Sequence, residues 1–195
     1  EAQGNRRRLA TELAVQWREG PSDYGDWDLA GEAALDFQTL RLTLGRLALT
    51  QPEGPAALRL SGSARLGEDE PRVHLTGLWQ DLRWPVAAAT PAILAESGTL
   101  VVNGRPSDYR VNLQTRLAGT QIPAGFWQAE AHGNTTTLAL ARLHGDLLGG
   151  HLNLTGSAGW TPEIRWDLDL KLDGLDPGRH YPELSGELNL VLHSQ

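Results

Sequence analysis

The sequence has neither cysteine nor methionine among its 195 residues. Without cysteine, disulfides and thiolate metal sites are excluded. The compartment stays open, because a chain of this size with a large sheet folds without disulfides. Methionine is missing even at position 1, so the chain is expected to be a processed product or an excised piece of a longer protein. Long apolar runs are also missing. No stretch reaches the ~18 residues of a membrane-spanning helix. Residues 1–20 do not have the layout of a signal peptide, so any anchor is expected outside this chain. Positive charge is scarce: 17 Lys and Arg stand against 24 Asp and Glu, a formal net charge of −7. Nucleic-acid binders carry a basic stripe. The only basic run here is Arg6-Arg7-Arg8, which reads as a solvated terminus.

What is present is a period of two. From Arg110 to Leu117, Val111, Leu113, Thr115 and Leu117 fall on one side, with Arg110, Asn112, Gln114 and Arg116 on the other. Trp166, Leu168, Leu170 and Leu172 alternate in the same way with Asp167, Asp169 and Lys171. The pattern recurs at Trp27 to Phe37, Arg72 to Leu75, His151 to Leu154 and Glu187 to Leu192. Side chains alternate across a strand, so each segment is a strand with one apolar and one polar face. Leucine favours helix by propensity, but the alternation and the turn residues overrule it. The turns are the clusters at 20–23, 52–55, 67–71 and 104–108, and Gly133-Asn134. These residues supply positive φ or a preset φ.

Two segments are less regular. Leu9, Leu13 and Trp17 fit a helix at i, i+4, i+8, yet Arg6 to Glu19 also alternates. A strand is preferred, because Trp27 to Phe37 continues the alternation after a turn and completes a hairpin. Pro85 to Ser97 reads as a connection with one helical turn at Pro91 to Glu96. An internal repeat runs through Leu58 to Gly62, Leu100 to Gly104 and Leu152 to Gly156, each apolar-x-apolar-polar-Gly. It fits a stack of hairpins with no internal domain boundary.

Signatures of chemistry are sparse. The six histidines show no metalloprotease spacing. His144 and His151 flank a glycine-rich turn and can meet across a hairpin, but exposed loop histidines are the commoner case. Asp169 to Gly174 opens like a calcium loop, yet its third residue is Lys171 and the rest alternates as a strand. Nucleophile-elbow, Walker and dinucleotide-binding glycine motifs are missing. A carboxylate hydrolase ranks last, since most acidic residues sit in turns or on polar strand faces. Asn134-Thr135-Thr136 and Asn153-Leu154-Thr155 match the glycosylation acceptor, a pattern that arises easily by chance. Seven tryptophans stand beside three tyrosines and two phenylalanines. Trp79, Trp84, Trp160 and Trp166 suit either a sugar-stacking platform or, as preferred here, closure of the ends of an apolar face, each N–H reaching a wet partner.

Two stretches carry a family resemblance: Leu78-Trp79-Gln80-Asp81-Leu82-Arg83-Trp84-Pro85, and Gly159 to Leu168 running on through Gly174 to Gly178 and Pro182 to Gly186. With Gly98-Thr99-Leu100, Ser107-Asp108-Tyr109 and Ile122 to Gly125, they resemble the TamB family, of the wider AsmA-like group, over about residues 40–195. The resemblance implies a long curved β-sheet forming a trough with an apolar interior, in a protein anchored in the inner membrane that reaches the outer membrane. It also implies phospholipid movement across the periplasm and support of outer-membrane assembly with a TamA-type partner. This chain would be one internal segment, residues 1–195, without the anchor.

The expectation is therefore an all-β chain, an elongated antiparallel sheet with an open apolar groove, with a β-sandwich as the alternative fold. About 10–12 strands stacked at ~4.8 Å would extend roughly 50 Å. The expected function is non-catalytic, without cofactor or metal. The groove face expected to hold lipid comprises Leu100, Val102, Val111, Leu113, Leu117, Leu138, Leu140, Leu152, Leu154, Trp166, Leu168, Leu170, Leu172, Leu188 and Leu190. The competing functions are a chaperone groove for strands of outer-membrane clients and a sandwich module for glycan binding or adhesion.

Overall fold

The structure, a computed structural model, describes residues 2–4, 7–18, 25–86 and 88–195. The strands are β1 (Ala2–Gly4), β2 (Arg8–Trp17), β3 (Trp27–Asp36), β4 (Arg41–Thr50), β5 (Ala57–Arg65), β6 (Arg72–Trp84), β7 (Ile93–Arg105), β8 (Asp108–Ala118), β9 (Gly125–Gly133), β10 (Thr137–Leu147), β11 (Gly150–Gly159), β12 (Arg165–Leu175) and β13 (Leu188–Ser194). They form one 13-stranded sheet in chain order. Each strand is antiparallel to the one before. The sheet is open, with β1 and β13 at opposite edges. At about 4.8 Å per step it extends roughly 58 Å.

The N-terminal hairpin is as expected: β2 and β3 pair from Arg8↔Asp36 to Trp17↔Trp27. The turn cluster at 20–23 lies outside the described residues. The connection after Pro85 differs from expectation. In place of a helical turn at 91–96, β7 begins at Ile93 and extends a full 13 residues. Ile93 and Leu94 pair with Trp84 and Arg83, so the ladder outcompetes a short helix with no partner. Among the described residues a single 3-10 turn lies instead at Pro177–Arg179. The Asp176 carboxylate caps it, accepting from Gly178 N at 3.1 Å.

Bulges keep the faces consistent where the sequence alternation breaks. In β10, Leu138 and Leu140 are followed by a register shift, and Leu143, Gly145 and Leu147 then fall on the same face. Without the extra residue these last three would point to the other side. The same switch carries β4 from Leu44 to Leu47 and β12 from Leu172 to Leu175. The repeat has a physical basis too. A Cβ on Gly62, Gly104 or Gly156 would run into the neighbouring strand, at His74 O, Asp108 O and Asp167 O respectively. Each of the three is a glycine because two backbones approach closely there.

No second layer covers this sheet among the described residues, so the sandwich alternative does not hold. Among the described residues the buried apolar ones are Ala48, Ala56, Val86 and Leu175, and no large side chain is fully buried. The accessible surface is 12617 Å², against about 9,000 Å² for a compact protein of 21.2 kDa.

Candidate functional site

All fifteen residues of the expected apolar set lie on one face. Leu100 stands opposite Leu113, Val102 opposite Val111, and Leu117 opposite Ala95. Leu138 and Leu140 face Ala158 and Gly156. Leu152 and Leu154 face Leu172 and Leu170, while Trp166 and Leu168 face Ala158 and Gly156. Leu190 and Leu188 continue the face opposite Leu172 and Leu175. Toward the N-terminal strands the same face runs on through Leu75, Gly77 and Trp79 in β6. Leu58 and Leu60 carry it through β5, Leu47 and Leu49 through β4, and Leu29 and Leu35 through β3. Leu9, Leu13, Val15 and Trp17 of β2 end it, all more than 40% exposed. These N-terminal leucines, with Leu143 and Leu147, were absent from the expected set. In β2 and β3 the alternation is unbroken and carried the signal, whereas in β4 and β10 a bulge obscured its phase.

Two tryptophans fill the middle of this face, each over a glycine. The Trp79 ring lies where a Gly98 side chain would be, and Trp127 lies over Gly145. Their indole N–H groups are buried without a partner, which for Trp79 is contrary to the expectation of a wet neighbour. An orphaned N–H costs about 1–3 kcal/mol, offset here by burial of the ring. Trp160 and Trp166 do follow the expectation. They donate to Thr135 O at 2.9 Å and to Ser194 Oγ at 3.1 Å.

The opposite face is a ladder of short polar pairs. His144 and His151 sit on strands, not in a loop, because β10 runs to Leu147 and the hairpin turns at Leu148-Gly149, both with positive φ (54° and 81°). That is the two-residue type I′ geometry. Asp146 Oδ1 lies 3.0 Å from His144 Nε2 and 2.6 Å from His151 Nδ1, and Asn153 Oδ1 lies 2.9 Å from His144 Nδ1. Hydrogen bonding from His151, with a smaller contribution from His144, holds the Asp146 carboxyl below its ordinary value of 3.8. A second trio, Asp167, Asp169 and His193, lies on β12 and β13. Each trio offers three metal-ligand atoms within 4.8 Å of one another, and all residues but His144 are exposed. Asp169 is part of β12 and opens no calcium loop. Asn134 Oδ1 is occupied in its own turn, accepting from Thr136 N and Thr137 N at 2.8 and 2.9 Å.

Chemically, the arrangement is an extended apolar surface of leucine, valine and tryptophan backed by a hydrophilic one. It binds by area, not by a single contact. Among the described residues no helix is long and apolar enough to cross a membrane. No solved structure matches the chain. The family described as TamB, N-terminal domain, matches residues 27–195. The match begins earlier than the resemblance near residue 40 and takes in β3 to β13. The chain belongs to the TamB family and is a segment of a TamB-related protein of the cell envelope.

Proposed function

We propose that this TamB-family chain is a non-catalytic, periplasmic part of an envelope-spanning protein. Its apolar sheet face carries phospholipid acyl chains between the inner and outer membranes. The observation that supports this reading is the continuous apolar face from β2 to β13 with no protein layer over it among the described residues. An uncovered apolar face in water is unfavourable and needs an occupant. An acyl chain is a matching one: moving a ~16-carbon chain into water costs on the order of 12 kcal/mol, at about 0.8 kcal/mol per CH₂. A lining of leucines offsets much of that cost over its whole length without a specific pocket. Movement along it then needs no local chemistry.

In the same reading the chain is one segment of a longer β-groove, works with a TamA-type outer-membrane protein through other regions of its parent, and supports outer-membrane assembly. A second reading, a chaperone groove for strands of outer-membrane clients, is favoured by one observation. The outer edge of β13 has no partner among the described residues, and a client strand can add there by β-augmentation.

Uptake of a pyrene-labelled phospholipid by the delipidated chain tests the first reading. Saturable uptake is expected. A double variant, Leu113→Asp with Leu140→Asp, is expected to lose it more than tenfold while keeping its strand circular dichroism. A folded double variant with undiminished uptake would rule out this face as the carrier.

A further inference from the structure

The sheet's other face holds a cluster that the linear sequence conceals. Arg41 stands opposite Arg65, and Arg65 opposite Arg72, in three adjacent strands. Like charges directly opposite one another in a sheet are destabilising. Here three arginines share one row in a chain of net charge −7. Arg105 and Arg110 join them, with His74, around a hollow of about 620 Å³ at the strand ends.

The nearby carboxylates, including Asp108 in the lining of the hollow, offset this cluster only in part. Glu68 is engaged with Arg105 and stands 4.0 Å from Arg65. Glu70 accepts from the backbone N and hydroxyl of Ser107. Asp36, opposite Arg41, accepts from Gln38 N and Thr39 N at 2.9 Å each. Asp108 stands opposite Arg105. Among the described residues the Arg41 side chain donates to the Ser63 hydroxyl alone, at 3.2 Å. Among the described residues the side chains of Arg72 and Arg110 have no hydrogen bond or ion pair. Arg105 Nε is buried without a partner.

We propose that this hollow is an anion site that binds the phosphoryl group of a phosphate ester. Guanidinium forks match tetrahedral oxyanions bidentately, and the hydroxyl of Ser63 on the same hollow, which accepts from Arg41 and keeps its own proton, adds a neutral donor. An anion lying between Arg65 and Arg72 turns their mutual repulsion into shared attraction. The acidic charge of the rest of the chain disfavours an extended polyanion such as nucleic acid. The ligand comes either free, as a soluble phosphate ester, or as the headgroup of an amphiphile arriving over the strand ends. The site faces away from the leucine surface and does not depend on what occupies that surface.

Calorimetric titration of the whole chain with inorganic phosphate and with glycerol 3-phosphate, at constant ionic strength against chloride, tests the site without involving acyl chains. Saturable binding is expected, with a melting temperature that rises with ligand concentration. The double variant Arg65→Ala with Arg72→Ala is expected to fold. In phosphate-free buffer it should melt no lower than the parent, because the like-charge row is relieved, and its phosphate affinity should fall more than tenfold. Vesicles of phosphatidylglycerol against phosphatidylcholine identify the source. Arginine-dependent binding to the anionic vesicles assigns a lipid headgroup, and a response to the soluble esters alone assigns a free ester. No response to any probe, an unchanged response in the double variant, or a double variant melting lower without phosphate would overturn the proposal.

Discussion

Asn112 and Leu113 are neighbours in β8 and lie on opposite faces of one sheet. Asn112 stands opposite Val101 and Glu130, and Leu113 opposite Leu100 and Ala129. Around Asn112, polar groups satisfy one another or meet water, as in the His144–Asp146–His151 contacts and the Lys171–Asp173 pair at 3.4 Å. Away from the arginine cluster, that face needs no further partner. Around Leu113 the cross-strand neighbours are apolar, and the described residues place no layer over them. The ladder is identical for both; only the side chains differ. One set of backbone hydrogen bonds therefore supports a face that water solvates and one that it does not.

Perturbing each face sharpens this contrast, beginning with the strongest case. Leu170→Asp puts a charge between Leu154 and Leu192. It is expected to cost about 2–4 kcal/mol in urea unfolding and to remove phospholipid uptake even where the chain stays folded. Gly98→Val forces the Trp79 ring off its seat, at about 1–3 kcal/mol. A red shift of tryptophan emission should accompany it.

On the polar face the effects shrink. Asp146 has a lowered folded-state pKa, so its contribution is present above the unfolded value of 3.8 and fades as pH falls through the folded value. Wild type and Asp146→Asn should therefore differ in urea unfolding near neutral pH and converge in acid, as pH falls below 3.8 and through the lowered folded-state value. A gap that widens on acidification would contradict the assigned contacts with His151 and His144. Smallest of all, Lys171→Gln removes an exposed ion pair and should shift stability by less than about 0.5 kcal/mol.

The two faces were legible in the sequence because side chains alternate in a strand whatever the tertiary context. Val111 to Leu117 and Trp166 to Leu172 needed nothing more. Legibility failed where alternation slips. Leu44 and Leu47 share a face only because of a bulge, and bulges leave little trace in a single sequence. The helical turn expected at 91–96 failed for another reason. Local residues suggested it, but pairing of Ile93 with Trp84 decided the outcome. The arginine row was hidden for a third reason. Arg41, Arg65 and Arg72 are scattered along the chain and meet only through register; of the visible basic run, Arg8 reaches the same row, across Asp36 from Arg41.

The central claim is that the leucine face is where lipid lies. A photo-crosslinking residue placed in turn at Leu113, Leu168, Asn112 and Asp169, in the full-length parent in intact cells, tests it most directly. Leu113 and Leu168 lie on the apolar face, and Asn112 and Asp169 on the polar one. Phospholipid adducts are predicted at the two leucine positions only. Equal labelling at all four positions, or none at the leucines, would contradict the account.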